Sequence, residues 1–392
     1  MRILFVADGR SPIALNWIRY WVERGDQVFL ASTFACKPDL ALAGLRNTPV
    51  AFSGAKSAAS AGRGAKSGIW GARTLGLRTV IRQFLGPLTI PRAAPALRRF
   101  AEEIKPDLVH ALRIPYEGML AADALAGLPV PLLISVWGND FTLHAPATPL
   151  MRHYTTWALQ VADALHADCQ RDIHLARQWG FAPDKPTLVT PGNGGIRADV
   201  FFPPQPLQAA PLVINPRGFR SYVRNDTFFK SIPLVLAEKP ETRFVCASMA
   251  GETQAQKWIQ ELRVESAVEL LAPLPHEQMA DVFRRASLIV SPAIHDGTPN
   301  TLLEAMACGC FPVAGDLESI REWITPEVNG LLIDPADPSA LAAAMLRGLN
   351  DPGLRARAAQ ANAQIIAGRA EYGANMQRVA GFYDEIKNLK HQ

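Results

Sequence analysis

The sequence predicts an α/β protein built from two doubly wound, Rossmann-like domains, each a parallel sheet covered by helices. Three observations predict it. Short apolar runs alternate with helix-period segments along nearly the whole chain. A proline-rich interruption, Phe202–Pro211, divides that alternation in two. The length of 392 residues suits two domains of roughly 100–200 residues each.

The elements follow in order. Arg2–Ala7 is an apolar run of strand length, and a helix is expected from about Ile13 to Arg24. Leu15, Ile18 and Val22 line one face of that helix, and Gly25 closes it. Gln27–Ser32 is the next strand, followed by Leu108–Ala111, Pro131–Val136, Ala164–Ala167 and Thr187–Thr190. Phe202–Pro211 holds four prolines, which fix φ and lack an N–H, so it suits neither a helix nor a central strand. Strands resume at Leu212–Asn215, Thr242–Ala247, Val268–Leu271, Leu288–Ser291, Phe311–Ala314 and Gly330–Ile333. The expected organisation is a first domain over 1–202, a linker over 203–211 and a second domain over 212–371. A last helical segment, 372–392, is expected to pack back on the first domain.

Composition excludes several classes. With 48% hydrophobic and 19% charged residues, the chain can fill large cores and is not a disordered polypeptide. No uncharged stretch is long enough, and free enough of proline, to span a membrane as a helix. The apolar start is too short for a secretory leader, and five scattered cysteines suit a reducing compartment, so a cytoplasmic protein is expected.

The net charge of +4 conceals an asymmetry. Residues 40–101 hold ten Lys and Arg and no Asp or Glu, which leaves the rest of the chain at −6. Ser53–Gly68 is a Gly/Ala/Ser tract that cannot bury enough apolar surface to offset its ordering entropy, so it is expected to be mobile. In Ile69–Leu85, Trp70, Leu77, Val80, Ile81 and Phe84 share a helical face while Arg78 and Arg82 lie on another. That pattern fits an anionic membrane surface or an ordinary core-facing helix with a wet side. Nucleic acid is the least favoured partner for the basic tract, and Arg73, Arg78 and Arg82 are its candidate lipid contacts.

The densest chemical signal is His295–Ala314. A strand runs into a loop containing Asp296, Gly297, Thr298 and Pro299, and a helix starts near Pro299–Thr301. Loops at the C-terminal ends of parallel strands are where doubly wound folds bind ligands. A helix N-terminus offers free N–H groups suited to phosphate. Asp296 and Glu304 stand eight apart, one before the helix and one a turn inside it, so they reach different parts of one ligand. Neither has metal-ligand spacing with a histidine, and no metal is expected.

The run Asp296-Gly-Thr-Pro-Asn-Thr-Leu-Leu-Glu304-Ala-Met-Ala-Cys-Gly309 resembles the E-x7-E signature of the retaining glycosyltransferase family 4, whose fold is GT-B. Collinear with it, Val189–Ile196 through Asp199, Phe201 and Pro203 resembles the family's turn before the linker. Pro106–His110, Ala164–Cys169 and Gly330–Pro335 resemble family strands. The resemblance implies two domains facing across a cleft, a nucleoside-diphosphate-sugar donor on the second, a hydroxyl acceptor on the first, and no cofactor. The acceptor could be a sugar or a lipid-linked or cell-envelope glycan precursor.

The resemblance also implies roles. Glu304 would accept hydrogen bonds from the ribose hydroxyls, and Asp296 would hold donor-sugar hydroxyls. Backbone N–H groups of Gly297, Thr298, Asn300 and Thr301, around Pro299, would meet the diphosphate or sugar. Arg217 would clamp the pyrophosphate, a task for which the guanidinium fork suits phosphate. The family's second cation is missing; Arg224 is the first substitute and Arg220 the second. Glu322 would orient the site loop or cap its helix. Two positions depart from the family near the sugar: the first acid is Asp296 rather than Glu, and Trp137 replaces a histidine. Gly9 remains from a degraded early glycine loop and still permits close backbone approach. A nucleotide-sugar 2-epimerase and a non-catalytic nucleotide-sugar or membrane-binding protein share these features. The absence of G-x-G-x-x-G after the first strand disfavours a dehydrogenase.

Overall fold

A computed structural model describes residues 1–51, 53, 82–207, 210–220 and 222–390. Apart from 53 and 82–85, the segments Ser53–Gly68 and Ile69–Leu85 lie outside the described residues, as do Trp70, Arg73 and Arg78. The chain forms two compact units: Met1–Gly194 with Ala374–Gln392, and Gly195–Gly373.

The first unit holds a parallel sheet of β1 (Arg2–Ala7), β2 (Gln27–Ser32), β3 (Gly44–Asn47), β4 (Leu108–Ala111), β5 (Leu132–Val136), β6 (Ala164–Ala167) and β7 (Thr187–Val189). The order is β3-β2-β1-β4-β5-β6-β7, with Arg2 opposite Gln27 and Ile3 opposite Leu108. The central strands are apolar on both faces because helices cover both, so β4, β5 and β6 are buried throughout. The strand β3 has no counterpart in the sequence expectation. It is a polar edge strand, mostly exposed, with no two-residue period to betray it.

The helix Pro12–Glu23 begins one residue before the expected start. The Ser11 hydroxyl accepts from the Ala14 N–H, and Pro12 opens the first turn, where its missing N–H costs nothing. Its buried face, Ala14, Trp17, Ile18 and Trp21, packs under the last long helix, Tyr372–Lys387. Tyr383 stacks on Trp21 with ring centroids 4.0 Å apart, and its hydroxyl accepts from the Trp17 indole N–H at 3.1 Å. The same hydroxyl meets His110 Nδ1 at 2.5 Å. A buried polar chain continues through Ser135 and His166 to Thr190. Burial holds both imidazoles neutral, His166 down to about 4. These histidines therefore satisfy one another inside the sheet.

The second unit holds a parallel sheet of β8 (Leu212–Asn215), β9 (Arg243–Cys246), β10 (Val268–Leu270), β11 (Leu288–Ser291), β12 (Phe311–Gly315) and β13 (Leu331–Ile333), in the order β10-β9-β8-β11-β12-β13. From Gly195 the turn before the linker belongs to this unit, so 195–202, expected in the first domain, lies in the second. The Ile196 N–H donates to Ala370 O, and Ile196 and Phe201 sit in the core with Phe283 and Leu302. Cys308 and Cys310 are buried in that core; burial pushes the Cys308 thiol up to about 12. They pack as small apolar side chains. Both sheets reverse direction of growth beside their first strands, at β1/β4 and β8/β11, the switch points where this topology opens a crevice at the strands' C-terminal ends. Among the described residues no helix is long and apolar enough to cross a membrane.

Candidate functional site

In the second unit, the loop after β11 and the loop after β8 converge. The Ile294 N–H donates to Tyr222 O at 2.9 Å, and the Arg224 N–H to Pro292 O at 2.9 Å. That pairing brings Arg217 to Asp296: Nη2 and Oδ2 are 3.0 Å apart, with the side chains 12% and 13% exposed. Seventy-nine positions separate the two in sequence, and only the adjacency of β8 and β11 joins them. Asp296 Oδ1 also accepts from the Gly297 N–H at 3.1 Å.

The loop is braced from below by the segment after β12. Ser319 Oγ donates to Asp296 O at 2.7 Å, and the Trp323 indole N–H donates to Thr298 Oγ1 at 3.0 Å. Glu322, beside that tryptophan, is half-buried, and its carbonyl accepts from Arg369. Ser319 and Trp323 are positioning residues that sequence reading missed, because both act through the loop and neither matches a ligand-binding residue type.

The helix Asn300–Ala307 starts at Pro299 without a side-chain cap. Among the described residues its first turn therefore presents N–H groups with no N-cap side chain to satisfy them. Asn300 Oδ1 and Thr301 Oγ1 are buried and have no hydrogen-bond partner among the described residues. One turn on, Glu304 is 5% exposed and makes no side-chain hydrogen bond or ion pair among the described residues. Burial alone raises its carboxyl to about 7. A buried polar group left unsatisfied costs stability, and such groups concentrate where a ligand completes them. The Arg217–Asp296 pair thus precedes a helix whose first turns carry Asn300, Thr301 and Glu304.

The other two arginines stand differently. Arg224 is held by Asp226 in a two-point pair, Nε–Oδ1 and Nη2–Oδ2 both 2.8 Å. Arg220 is exposed. Arg217 is thus the cation that the fold places against Asp296.

In the first unit, a cavity of about 310 Å³ opens at the C-terminal ends of β1, β4 and β5. Trp137 lines it, and the Trp137 N–H donates to Asp140 Oδ2 at 3.0 Å. Its indole lies against Gly192, where a side chain would approach the ring to 3.2 Å. Gly9 sits between the lining residues Asp8 and Arg10. A Cβ there would come within 2.4 Å of Cys36 Sγ and 2.9 Å of Ser32 Oγ, so only glycine lets the loop lie so close to β2. Asp168, Cys169 and Asp172 are the described residues close enough together to hold a metal ion. The Arg171 guanidinium donates to Asp172 at 2.7 Å and to Gly138 O, so a cation already fills that space.

Comparison with known proteins agrees with this architecture. Residues 9–192 match the model of the "Glycosyl transferase 4-like domain", and residues 202–365 match that of "Glycosyl transferases group 1". A D-inositol 3-phosphate glycosyltransferase of Thermobispora bispora is 27% identical over 253 residues, 60% of this chain and 58% of that protein. One of Catenulispora acidiphila is 30% identical over 245 residues, 57% of this chain and 54% of that protein. The chain thus aligns with less than two thirds of the length of these relatives. Among solved structures, sucrose-phosphate synthase from Thermosynechococcus elongatus is similar with a TM-score of 0.75 at 16% identity, covering 98% of this chain and 99% of that one. Anabaena HepE in complex with UDP and glucose has a TM-score of 0.72 at 16% identity, covering 98% and 100%. Both halves carry the sequence features of one family on the two-Rossmann architecture the expectation named: the chain belongs to the GT-B glycosyltransferases.

Proposed function

We propose that the protein transfers a sugar, with retention of anomeric configuration, from a nucleoside-diphosphate sugar to a hydroxyl acceptor. The observation that carries this reading is the cluster at the start of Asn300–Ala307. Arg217 meets Asp296 in the loop before an uncapped helix N-terminus, and one turn inside that helix stands a buried carboxyl with no partner among the described residues. Asp296, the helix N-terminus with Arg217, and Glu304 in that order suit sugar, then diphosphate, then ribose. Leaving-group departure places growing charge on the diphosphate, and Arg217 with the helix N-terminus stabilises it electrostatically. Asp296 faces the donor sugar; Arg224, behind Asp226, is a reserve cation for the phosphates, with Arg220 second. No step in this reading needs a metal or cofactor. The acceptor belongs on the first unit, beside Gly9 and Trp137. The basic residues of 40–101 suit a protein that works at an anionic membrane surface on a lipid-linked acceptor.

A thermal-shift panel of nucleoside diphosphates and their sugars tests the donor, UDP first. A specific ligand raises the melting temperature by mass action. Incubation with the matching sugar nucleotide then separates the alternatives. A transferase releases the nucleoside diphosphate, a 2-epimerase returns an isomerised sugar nucleotide, and a non-catalytic binder returns its ligand unchanged.

Glu304 gives the donor site a pH signature. Ribose hydroxyls donate to a carboxylate, so binding favours the ionised form of a group that titrates near 7 in the free protein. Nucleoside diphosphate affinity is expected to rise as pH increases from 5 through about 7 and then level off, with a proton released on binding below that point. Isothermal titration in buffers of different ionisation enthalpy measures that proton. In Glu304→Ala the proton release disappears and affinity falls by about 1.5–3 kcal/mol. Unchanged affinity and unchanged proton release would place the ribose elsewhere.

A further inference from the structure

The cavity in the first unit has a charge arrangement that a hydroxyl acceptor alone does not explain. Three arginines line it. Arg10 is paired with Asp8, Nη2–Oδ2 3.0 Å, and Arg113 is anchored by Asp140 at 2.9 Å and Asn139 at 2.9 Å. Arg82 makes no ion pair among the described residues. Its guanidinium instead lies over two aromatic rings, 4.5 Å from the centroid of Tyr116 and 5.3 Å from that of Phe34. Arg82 Nε is buried with no hydrogen-bond acceptor among the described residues. Aromatic faces hold a guanidinium in place and strip its water, but they do not accept its in-plane N–H groups.

The neighbouring backbone is held in costly conformations. Arg113 has φ 124° and Tyr116 φ 71°, neither of them glycine. Strain of that kind persists where the surrounding structure holds a site in shape. In the same lining, Glu117 is buried and accepts from Thr33 Oγ1 at 2.6 Å, and His144 faces the same space. Burial raises the Glu117 carboxyl to about 7, while burial together with Arg113 and Arg82 lowers His144 to about 3. Near neutral pH His144 is uncharged and Glu117 is close to its midpoint, so both can hydrogen-bond hydroxyls.

We propose that this cavity binds a polyol bearing an oxyanion, with the anion on Arg82 and Arg113 and hydroxyls on Glu117 and His144. Its volume is at the small end of ligand pockets, the scale of one sugar ring with a phosphate. That this ligand is the glycosyl acceptor rests on the transferase reading; the anion pocket does not. The oxyanion comes from a soluble sugar phosphate or from a phospholipid headgroup, and the two are separable.

Isothermal titration of the full chain with glucose 6-phosphate, in saturating UDP to fill any diphosphate site, is the first arm. Sedimentation with phosphatidylinositol vesicles, against phosphatidylcholine vesicles, is the second. At least one phosphate probe is expected to bind at least tenfold more tightly than glucose or neutral vesicles. In Arg82→Gln that binding falls at least tenfold, and Arg82→Lys, which keeps the charge but loses the fork, is intermediate. UDP affinity stays at the wild-type value in both variants, and an unchanged urea midpoint reports an intact first unit. Arg82-dependent binding of vesicles but not of the soluble phosphate assigns the anion to a lipid headgroup. Binding of neither probe, or equal binding by Arg82→Gln, overturns the pocket while UDP binding leaves the donor site standing. A phosphate probe that binds through Arg82 in a protein that ignores every nucleoside diphosphate overturns the transferase reading instead.

Discussion

Replacing Arg217 by alanine is expected to slow sugar transfer by about 10²–10³-fold, the loss found when one preorganised donor facing developing charge is removed. The ligand-free structure sharpens that expectation. Arg217 rests on Asp296 at 3.0 Å, so an arriving diphosphate must share or displace an existing partner. The pair is largely buried, but an arriving diphosphate leaves the guanidinium paired, so the exchange costs less than breaking the pair outright. Arg217→Lys is expected to recover only part of the rate, because a point charge replaces a fork. Asp296→Asn frees the guanidinium without changing the shape. Its affinity for free nucleoside diphosphate is expected to equal or exceed the wild type while transfer is lost. Steady-state kinetics with the donor found in the thermal-shift panel, beside titration with its nucleoside diphosphate, resolve the two. Near-normal turnover in Arg217→Ala would remove the residue from the chemistry.

Trp21→Ala is expected to destabilise the first unit by about 3–5 kcal/mol, the usual range for a large aromatic removed from a core. Trp21 is fully buried and carries the stacked Tyr383 ring, so the cavity would lie at the seam holding the last helix to Pro12–Glu23. Its indole N–H is buried with no acceptor among the described residues. Trp21→Phe should therefore cost much less, because it keeps most of the ring and removes an unsatisfied donor. Urea unfolding followed by circular dichroism compares the variants. Equal midpoints for Trp21→Ala and wild type would show that the last helix is held by other contacts.

How much of this was legible in the sequence depended on whether a feature is local. The strands Arg2–Ala7, Gln27–Ser32, Leu108–Ala111, Ala164–Ala167, Leu212–Asn215 and Leu288–Ser291 match their expected bounds, because an apolar run with turn residues at each end is self-contained. Gly44–Asn47 was not legible, since a polar edge strand is defined by the neighbour it pairs with. The candidate donor site divides the same way. Asp296 to Glu304 could be read as a unit because loop and helix are contiguous. The ion pair to Arg217, the brace from Trp323 and the clasp of Arg82 by Phe34 and Tyr116 depend on strand order and loop paths, which no spacing encodes. Arg82 entered the sequence reading as one of several basic residues on a helix face, and its distinction is that it makes no ion pair among the described residues.

The first unit combines two segments that the second unit separates in sequence, Met1–Gly194 and Ala374–Gln392. On the ribosome, its strands emerge early and its last helix emerges only after the whole second unit. Until then Trp17, Trp21 and His110 lack the tyrosine that covers and satisfies them. At about 5–20 residues per second, the intervening stretch leaves a nascent chain with an open aromatic face for some tens of seconds or less. The second unit, being continuous, can complete itself inside that interval. Biosynthesis therefore reverses the order of the sequence: the half made second is finished first, and the early half closes only when the helix Tyr372–Lys387 has emerged.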